Sequence, residues 1–581
     1  MQLTQDTLVN KSTATITGAE ALLRQLTFCG IDTVFGYPGG AILPVYDALY
    51  NYSPLRHVLV RHEQGAMHAA QGFARASGRV GVVIVTSGPG AANCITGLCD
   101  AMMDSTPLVL ITGQVGARFL GSDAFQETDV IALAQPVTKW ARQVRCAEEV
   151  PEAIATAIHI ASTGRPGPVV IDIAKDAQVG SLSFRPASPT IHRGYSPKVE
   201  INLDDIDTAA AMINSAQRPL IISGGGVAIS GAERELQRLA EKADIPVGCT
   251  LQGLSTIPSD HPLFAGMAGM HGAIAVNVAT NQADLIIGIG MRFDDRVTGR
   301  VSTYAPHAQI IHIDIDSAEF NKTVQATLPV HGDAKQVLAR LWPMVRSTKR
   351  PQWRSLFTHC AAVEDTEVME RELRRRDDEP MTMGEVADAV SRAADCRAIA
   401  VADVGQNQMM TARYFRHTLA RSFISSGGLG TMGFGLPAAI GAAIACPDRT
   451  VCYFGGDGGI QMTIQEFGTI MQYRVPVKMV LLNNNFLGNV RQWQQLFFGG
   501  RFSQTPMLNP DFAAIAGAYG IPCIEVAHRC ELLPAIDKML ATEGPVLLNV
   551  DIDPTDMVFP MTPAGADVDH IMLNPDKLFQ L

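Results

Sequence analysis

A chain of 581 residues is too long for one hydrophobic core, and 47% apolar with 18% charged residues describes packed domains, about three of them, rather than a disordered chain. Lys+Arg 46 against Asp+Glu 57 leaves a formal net charge of -11, so nothing invites a nucleic-acid partner. The 11 cysteines are scattered without a C-x-x-C pair, the polar start Met1 to Thr15 lacks a secretory core, and no apolar run reaches membrane-spanning length uninterrupted, which together predict a reduced, soluble, cytoplasmic protein.

Short β-rich runs alternate with helical patterns along the whole chain, and 52 glycines gather around them, which predicts an α/β protein of three doubly wound parallel-sheet domains. The first domain covers residues 1–185, with strands at Thr33-Val34-Phe35, Gly81 to Thr86, Leu108 to Thr112 and Val169 to Ile173, and a helix over Gly65 to Ala76. A loop from Phe184 to Lys198 leads to a second domain at 199–350, with strands Pro219 to Ser223, Leu285 to Ile289 and Ile310 to Asp314. A charged linker follows at 351–380; its run Glu364 to Glu379 reads as a solvated helix rather than a binding patch. The third domain, 381–552, carries strands Ala398 to Ala402, Thr450 to Phe454 and Val477 to Leu482, before a tail at 553–581. The first and third domains share a strand-helix rhythm, so two related domains flanking a different middle one are expected.

The strand Thr450 to Phe454 ends in Gly455-Gly456-Asp457-Gly458-Gly459, and a helical pattern, Gln461 to Phe467, comes next. Small residues at such a turn let backbone N–H groups approach a phosphate at a helix N-terminus. About two dozen residues later the next strand ends at Asn483-Asn484-Asn485. Adjacent parallel strands bring Asp457 and Asn484 to one carboxyl edge, where open α/β sheets bind ligands. A carboxylate, an amide oxygen and a backbone carbonyl are hard ligands of the kind that hold Mg²⁺ on a phosphorylated molecule. Either motif alone reads as an ordinary turn; the pair, at two strand ends, does not. This spacing resembles the diphosphate signature of thiamine-diphosphate enzymes. The resemblance makes Asp457, Asn484 and the carbonyl of Phe486 the metal ligands.

Arg61-His62-Glu63-Gln64 opens the first domain's Ala-rich helix. A carboxyl held against the aminopyrimidine is what the thiamine cofactor requires, and a partly desolvated Glu63 suits it. His62 and His68 read as local hydrogen-bonding residues. The same resemblance implies an active site built between two subunits, hence a homodimer, with a tetramer left open.

Longer runs narrow the family. Phe35 to Asp47, Thr86-Ser-Gly-Pro-Gly90, Asp123 to Glu127, Gly164 to Pro168, Gly269-Met-His-Gly272, Arg292 to Gly299, Gly430-Thr-Met-Gly433 and Gln492-Trp493 are similar to the acetohydroxyacid synthase large subunit, over residues 15–575. That resemblance implies decarboxylation of pyruvate on thiamine diphosphate and attack of the hydroxyethyl carbanion-enamine on pyruvate or 2-oxobutyrate. The products, 2-acetolactate and 2-aceto-2-hydroxybutyrate, lead to branched-chain amino acids. It implies a backbone donor at Gly40, substrate approach lined by Gln126 and Lys175, cofactor contacts at Val404, Gln406, Asn407, Gly430, Met432, Gly456, Gly458 and Gly459, and an acceptor pocket shaped by Met270, Arg296 and Trp493. It further implies a non-redox FAD in the middle domain, held by Arg165, Gly224, Gly225, His271, Arg292, Asp314 and Asp333, and a regulatory small subunit. Departures from the usual family residues are Asn407, which retains a donor for phosphate, Asn489, Gly116, Ala174 and Gly459. The competing readings are a catabolic acetolactate synthase, against which Arg292 to Arg296 and FAD speak; pyruvate oxidase, told apart by peroxide production; and glyoxylate carboligase, which lacks the glutamate. A degenerate non-catalytic homologue would not keep Glu63, Asp457 and Asn484, and a nicotinamide dehydrogenase would need a G-x-G-x-x-G turn with an acid about 20 residues on, of which the chain offers no convincing case.

Overall fold

Strands whose every residue is buried can exist only where helices cover both faces of a sheet, and the central runs of this sequence take that form. The computed structural model describes residues 15–190, 193–373 and 375–581; the polar start of the chain, two residues of the 184–198 loop and Arg374 of the charged run lie outside these. By its internal contacts the chain divides into two units, residues 1–197 and 198–581.

The first unit holds one six-stranded sheet of Thr33–Tyr37 (β1), Arg56–Leu59 (β2), Gly81–Val85 (β3), Leu108–Gln114 (β4), Trp140–Val144 (β5) and Pro168–Ala174 (β6). The strands pair in parallel in the order β2-β1-β3-β4-β6-β5. Helix Glu63–Ser77 (α1) leaves β2 with eleven buried residues and ends at Gly78, whose φ of 74° is the left-handed cap that only glycine adopts cheaply.

The second unit holds two more such sheets. The middle one comprises Pro219–Ser223 (β7), Val247–Cys249 (β8), Phe264–Met267 (β9), Leu285–Ile289 (β10), Gln309–Asp314 (β11) and Leu328–His331 (β12), in the order β9-β8-β7-β10-β11-β12. The last comprises Ile399–Ala402 (β13), Phe423–Ile424 (β14), Val451–Gly456 (β15), Val477–Asn483 (β16), Cys523–Val526 (β17) and Val546–Asp551 (β18), in the order β14-β13-β15-β16-β18-β17. All pairings within these sheets are parallel. The first and third sheets therefore share one strand order, and the middle sheet has the order of dinucleotide-binding folds. One continuous core packs middle and third sheets together, from Ile206 and Leu236 through Leu482 to Val558.

The charged linker is helical from Pro351–Glu364 (α2), with Pro at its first turn, through a π-helical stretch Asp365–Met369 to Leu373. It is less solvated than its composition predicts. Glu364 accepts the Ile274 N–H at 2.8 Å and pairs with Arg413. Glu372 is 1% exposed and accepts from Gly384 N at 3.2 Å, at the first turn of another helix, while Arg375 reaches Asp553 at 2.8 Å. Each inward charge meets a cation, a helix start or a carboxylate, which is what makes its burial tolerable. Among the described residues no helix is long and apolar enough to cross a membrane.

Candidate active site

Open α/β sheets bind ligands where the strand order reverses, beyond the strands' carboxyl ends. In the first sheet that point lies between β1 and β3, and the residues singled out from sequence cluster at that edge: Gly40 after β1, Glu63 after β2, Thr86 to Gly90 after β3, Gln126 in the loop after β4, Lys175 after β6. Glu63 is the first residue of α1, half-buried, where the helix N-terminus favours negative charge. His62 caps the same helix, its Nδ1 accepting the Gln64 N–H at 3.1 Å. His68 is buried and hydrogen-bonded to Gln64 and Gln71 at 3.3 and 3.2 Å, and burial pushes its imidazole down to about 3. It is a neutral structural group. The Asn93 amide donates to Glu63 Oε2 at 2.9 Å.

Gly40 begins an exposed 3₁₀ turn, tied by Ala41 N–H donating to Thr86 Oγ1 at 3.3 Å. Gln126 has a φ of 60° and lies against Gly88, where a Cβ would meet Gln126 Cβ at 2.9 Å. Glu127 holds that loop by accepting from the backbone N–H groups of Gly121, Ser122 and Ala124. These donors hold its carboxyl below the usual range. Lys175 is exposed. Two departures, Gly116 and Ala174, have φ of −57° and −58°, angles that proline itself would adopt.

In the third sheet the order reverses between β13 and β15. Asp403 to Asn407 follow β13, and Gly456 ends β15 with Asp457 to Gly459 opening helix Asp457–Met462. The register pairs Gly456 with Leu482, which sets Asp457 beside Asn483 at the next step. Asp457 and Asn484 are 1% and 3% exposed. The Asn509 amide donates to Asp457 Oδ2 at 2.6 Å, to Asn483 Oδ1 at 2.9 Å and to Asn485 Oδ1 at 3.2 Å. Phe486 N–H donates to Asn484 Oδ1 at 3.1 Å, so the carboxylate, the amide and the Phe486 peptide share one corner. Burial pushes the Asp457 carboxyl above its usual range, offset in part by Asn509. No basic side chain pairs with it among the described residues. A buried carboxylate ringed by neutral oxygens fits a hard divalent cation.

Two of the glycines beside it, Gly458 and Gly459, stand close against their neighbours. A Cβ on Gly458 would sit 2.7 Å from Leu487 Cδ2 and 3.6 Å from Met432 Cε, which brings Met432 to the anchor. Gly430, with φ 71°, stands against Val404, where a Cβ would be 4.0 Å from Cγ1. Asp403, a residue the sequence reading passed over, ties these turns together. Its Oδ1 accepts from Val404 N at 2.7 Å and Gly433 N at 2.9 Å, and Tyr453 OH donates to Oδ2 at 3.3 Å. Burial pushes its carboxyl up to about 6. Gly459 leaves space for it, since a Cβ there would meet Oδ2 at 2.9 Å. Asn407 spends both amide hydrogens on the carbonyls of Asp403 and Phe454, at 2.8 and 3.2 Å, and so braces the turn instead of keeping a donor for phosphate. Gln406 donates to Gln492 Oε1 and to the Asp556 carbonyl, both at 3.0 Å. Trp493, on helix Gly488–Phe497, packs against Phe497 with ring centroids 5.2 Å apart.

The middle sheet reverses between β7 and β10. Gly224 and Gly225 follow β7, and Gly226 N–H bonds the Gly290 carbonyl beyond β10 at 3.0 Å. Arg292 pairs with Asp294 at 3.4 Å. Asp314 ends β11 and accepts from Asp316 N at 2.9 Å; Asp333 caps the helix after β12 through Gln336 N at 3.1 Å. Met270 and Arg296 meet, Met270 N–H on the Arg296 carbonyl at 2.8 Å and Arg296 Nη1 near Met270 Sδ at 3.7 Å. His271 Nδ1 is buried without a partner, and burial beside Arg413 and Arg296 pushes that imidazole down to about 3. An orphaned acceptor, a glycine turn and acids at successive strand ends fit a dinucleotide. Arg165, in the first unit, donates to Ser105 Oγ at 2.8 Å.

Residues 16–133 match the family described as thiamine pyrophosphate enzyme, N-terminal TPP binding domain; residues 206–341 match its central domain and residues 403–550 its C-terminal TPP binding domain. The chain is 45% identical to acetolactate synthase isozyme 2 large subunit of Escherichia coli, covering 94% of this chain and 98% of that protein. It is 44% identical to the acetolactate synthase large subunit of Corynebacterium glutamicum, over 95% and 89% of the two chains, and 41% identical to that of Lactococcus lactis, over 96% of each. With three successive domains matched and near-complete coverage of such relatives, the chain belongs to the acetolactate synthase large-subunit family of thiamine pyrophosphate enzymes.

Proposed function

We propose that this chain is the catalytic subunit of an acetohydroxyacid synthase, which decarboxylates pyruvate and transfers the two-carbon unit to pyruvate or 2-oxobutyrate for branched-chain amino acid synthesis. The observation that carries this reading is the corner where buried Asp457 and Asn484 meet the Phe486 peptide, an oxygen-rich site in which no basic side chain pairs with Asp457 among the described residues. Asp457 Oδ, Asn484 Oδ1 and the Phe486 carbonyl would hold Mg²⁺, and the backbone of Gly456, Gly458 and Gly459 would leave room for the diphosphate. Thiamine diphosphate, when bound, supplies a carbanion centre that adds to the 2-oxo acid carbonyl. Glu63 holds a proton at a carboxyl oxygen facing the aminopyrimidine, and Met432, Val404 and Gln406 support the cofactor's shape. Gly40 offers a backbone N–H to the developing oxyanion, and Gln126 and Lys175 line the approach. Met270, Arg296 and Trp493 shape the acceptor pocket, with Arg296 pairing the acceptor's carboxylate.

FAD is a structural, non-redox group in the middle domain, held by Gly224, Gly225, His271, Arg292, Asp314 and Asp333. The strand order of that sheet and the orphaned His271 Nδ1 support this. The working assembly is a cytoplasmic homodimer in which Glu63 of one protomer serves the metal anchor of the other, with a regulatory small subunit alongside. A product assay with pyruvate alone and with added 2-oxobutyrate, with and without FAD, tests the reading. Acetolactate and acetohydroxybutyrate without peroxide are expected; peroxide in their place points to an oxidase. Glu63→Gln is expected to abolish carboligation with an unchanged circular dichroism spectrum, and full activity in that variant would sink the mechanism.

A further inference from the structure

The two oxygens of the Glu63 carboxylate live in different surroundings. Oε2 accepts the Asn93 side-chain N–H at 2.9 Å. Oε1 has no hydrogen-bond partner among the described residues and faces Gly90, where a Cβ would stand 3.5 Å away. The turn carrying Asn93 is itself held hard. Asn93 N–H bonds the Pro89 carbonyl at 2.9 Å, Cys94 N–H bonds Ala91 at 3.1 Å, and buried Cys94 Sγ donates to the Gly90 carbonyl at 3.3 Å. Thr86 Cγ2 lies 2.7 Å from where a Gly90 Cβ would be, so the turn after β3 sits close against the strand end and cannot take a larger residue.

We propose that Asn93 is a positioning residue for Glu63, fixing which of its oxygens carries the working proton. An amide N–H can only donate, so Oε2 stays an acceptor and a proton held by the carboxyl resides on Oε1. Oε1 is the oxygen that Gly90 leaves uncovered. As the proton leaves Oε1 for the group in front of it and returns, the bond at Oε2 keeps the carboxyl plane from rotating. No other bond need change. This rests on the reading of Glu63 as the acid that serves the aminopyrimidine.

Asn93→Asp keeps the shape and replaces the donor with an acceptor; Asn93→Ala removes it. In both, Mg²⁺-dependent thiamine diphosphate binding and the pyruvate KM should stay within about twofold of the parent, while kcat falls about 10- to 100-fold. Asn93→Asp should regain activity as the pH is lowered, because its carboxyl becomes a donor once protonated, a shift the parent lacks. The near-ultraviolet circular dichroism band of the bound aminopyrimidine tautomer should weaken in both variants and return in Asn93→Asp on acidification. The proposal is overturned if both variants keep the parent's kcat, pH profile and band, or if activity falls only in step with lost cofactor binding. Should Asn93→Asp misfold, Asn93→Ala decides through kcat and the band alone. A parent that binds no thiamine diphosphate, or a fully active Glu63→Gln, refutes the underlying reading instead.

Discussion

Burial pushes the Asp457 carboxyl above its usual range, and only neutral donors, the Asn509 amide and the backbone N–H groups of Asp457, Gly458 and Asn485, oppose that shift. A bound divalent cation reverses that balance, since the ion becomes the largest local charge. Asp457→Ala should therefore weaken Mg²⁺-dependent thiamine diphosphate binding by at least about 100-fold, and Asn509→Ala, which removes only the partner behind the ligand, by about 10-fold. Calorimetric titration of the apoprotein reads both; equal affinities in the two variants and the parent would refute the anchor. Asp457, Asn484 and Glu63 could be read from sequence because each stands next to a strand or helix signal. Asn509 could not, since its role depends on a loop folding back 52 residues onto Asp457. Asp403 offered a signal that was overlooked, an acid directly after the apolar run Ile399–Ala402.

At the level of elements, most interior strands were legible and the edges were not; Val247–Cys249 and Val546–Asp551 are the interior strands that went unread. Pro219–Ser223 and Leu285–Ile289 match their apolar runs residue for residue. All six sheet edges, such as Arg56–Leu59, Trp140–Val144 and Cys523–Val526, escaped, because a half-exposed edge lacks the unbroken apolar run of a strand covered on both faces. The helix expected over Gln461 to Phe467 is broken instead at Thr463, whose hydroxyl turns inward to the Gly433 carbonyl at 3.0 Å. Helix α2 shows what a charge run can do once folded. Glu364 at its end pairs with Arg413, which donates to the carbonyls of His271 and Gly272 at 2.7 and 2.9 Å. Breaking a buried pair from one side costs about 3–5 kcal/mol. Arg413→Met should lower stability by that order in urea unfolding and should release the flavin far more than it weakens thiamine diphosphate binding. Flavin retention equal to the parent's would detach this turn from the flavin site.

Across the whole molecule, each domain carries a histidine buried in neutral form: His68, His271 and His417, all pushed down to about 3 by burial. Below the ordinary histidine range the unfolded chain takes up protons that the folded chain refuses, so each site's contribution to stability falls as the pH falls, by about 1.4 kcal/mol per unit between pH ~6.5 and ~3. His417 isolates the effect. Both of its ring nitrogens are buried without partners, and its ring packs on Phe415 and Phe423 at 5.2 and 5.7 Å. His417→Phe should stabilise the protein, with a gain about 2 kcal/mol larger at pH ~5 than at pH ~7. A gain independent of pH would contradict the neutral assignment.

The strand order that the first and third sheets share gives the chain two copies of one scaffold with opposite duties. In the first copy the turn after the second strand begins a helix with the acid Glu63; in the other, the turn after β14 reads Ser425-Ser426-Gly427 and carries no acid. The turn after the third strand reverses the assignment: Thr86 to Gly90 bears no charge in the first copy, while its counterpart in the second bears Asp457. Neither copy alone holds both Glu63 and Asp457. Replacing either copy with a duplicate of the other would leave a chain with two acids of one kind and none of the other.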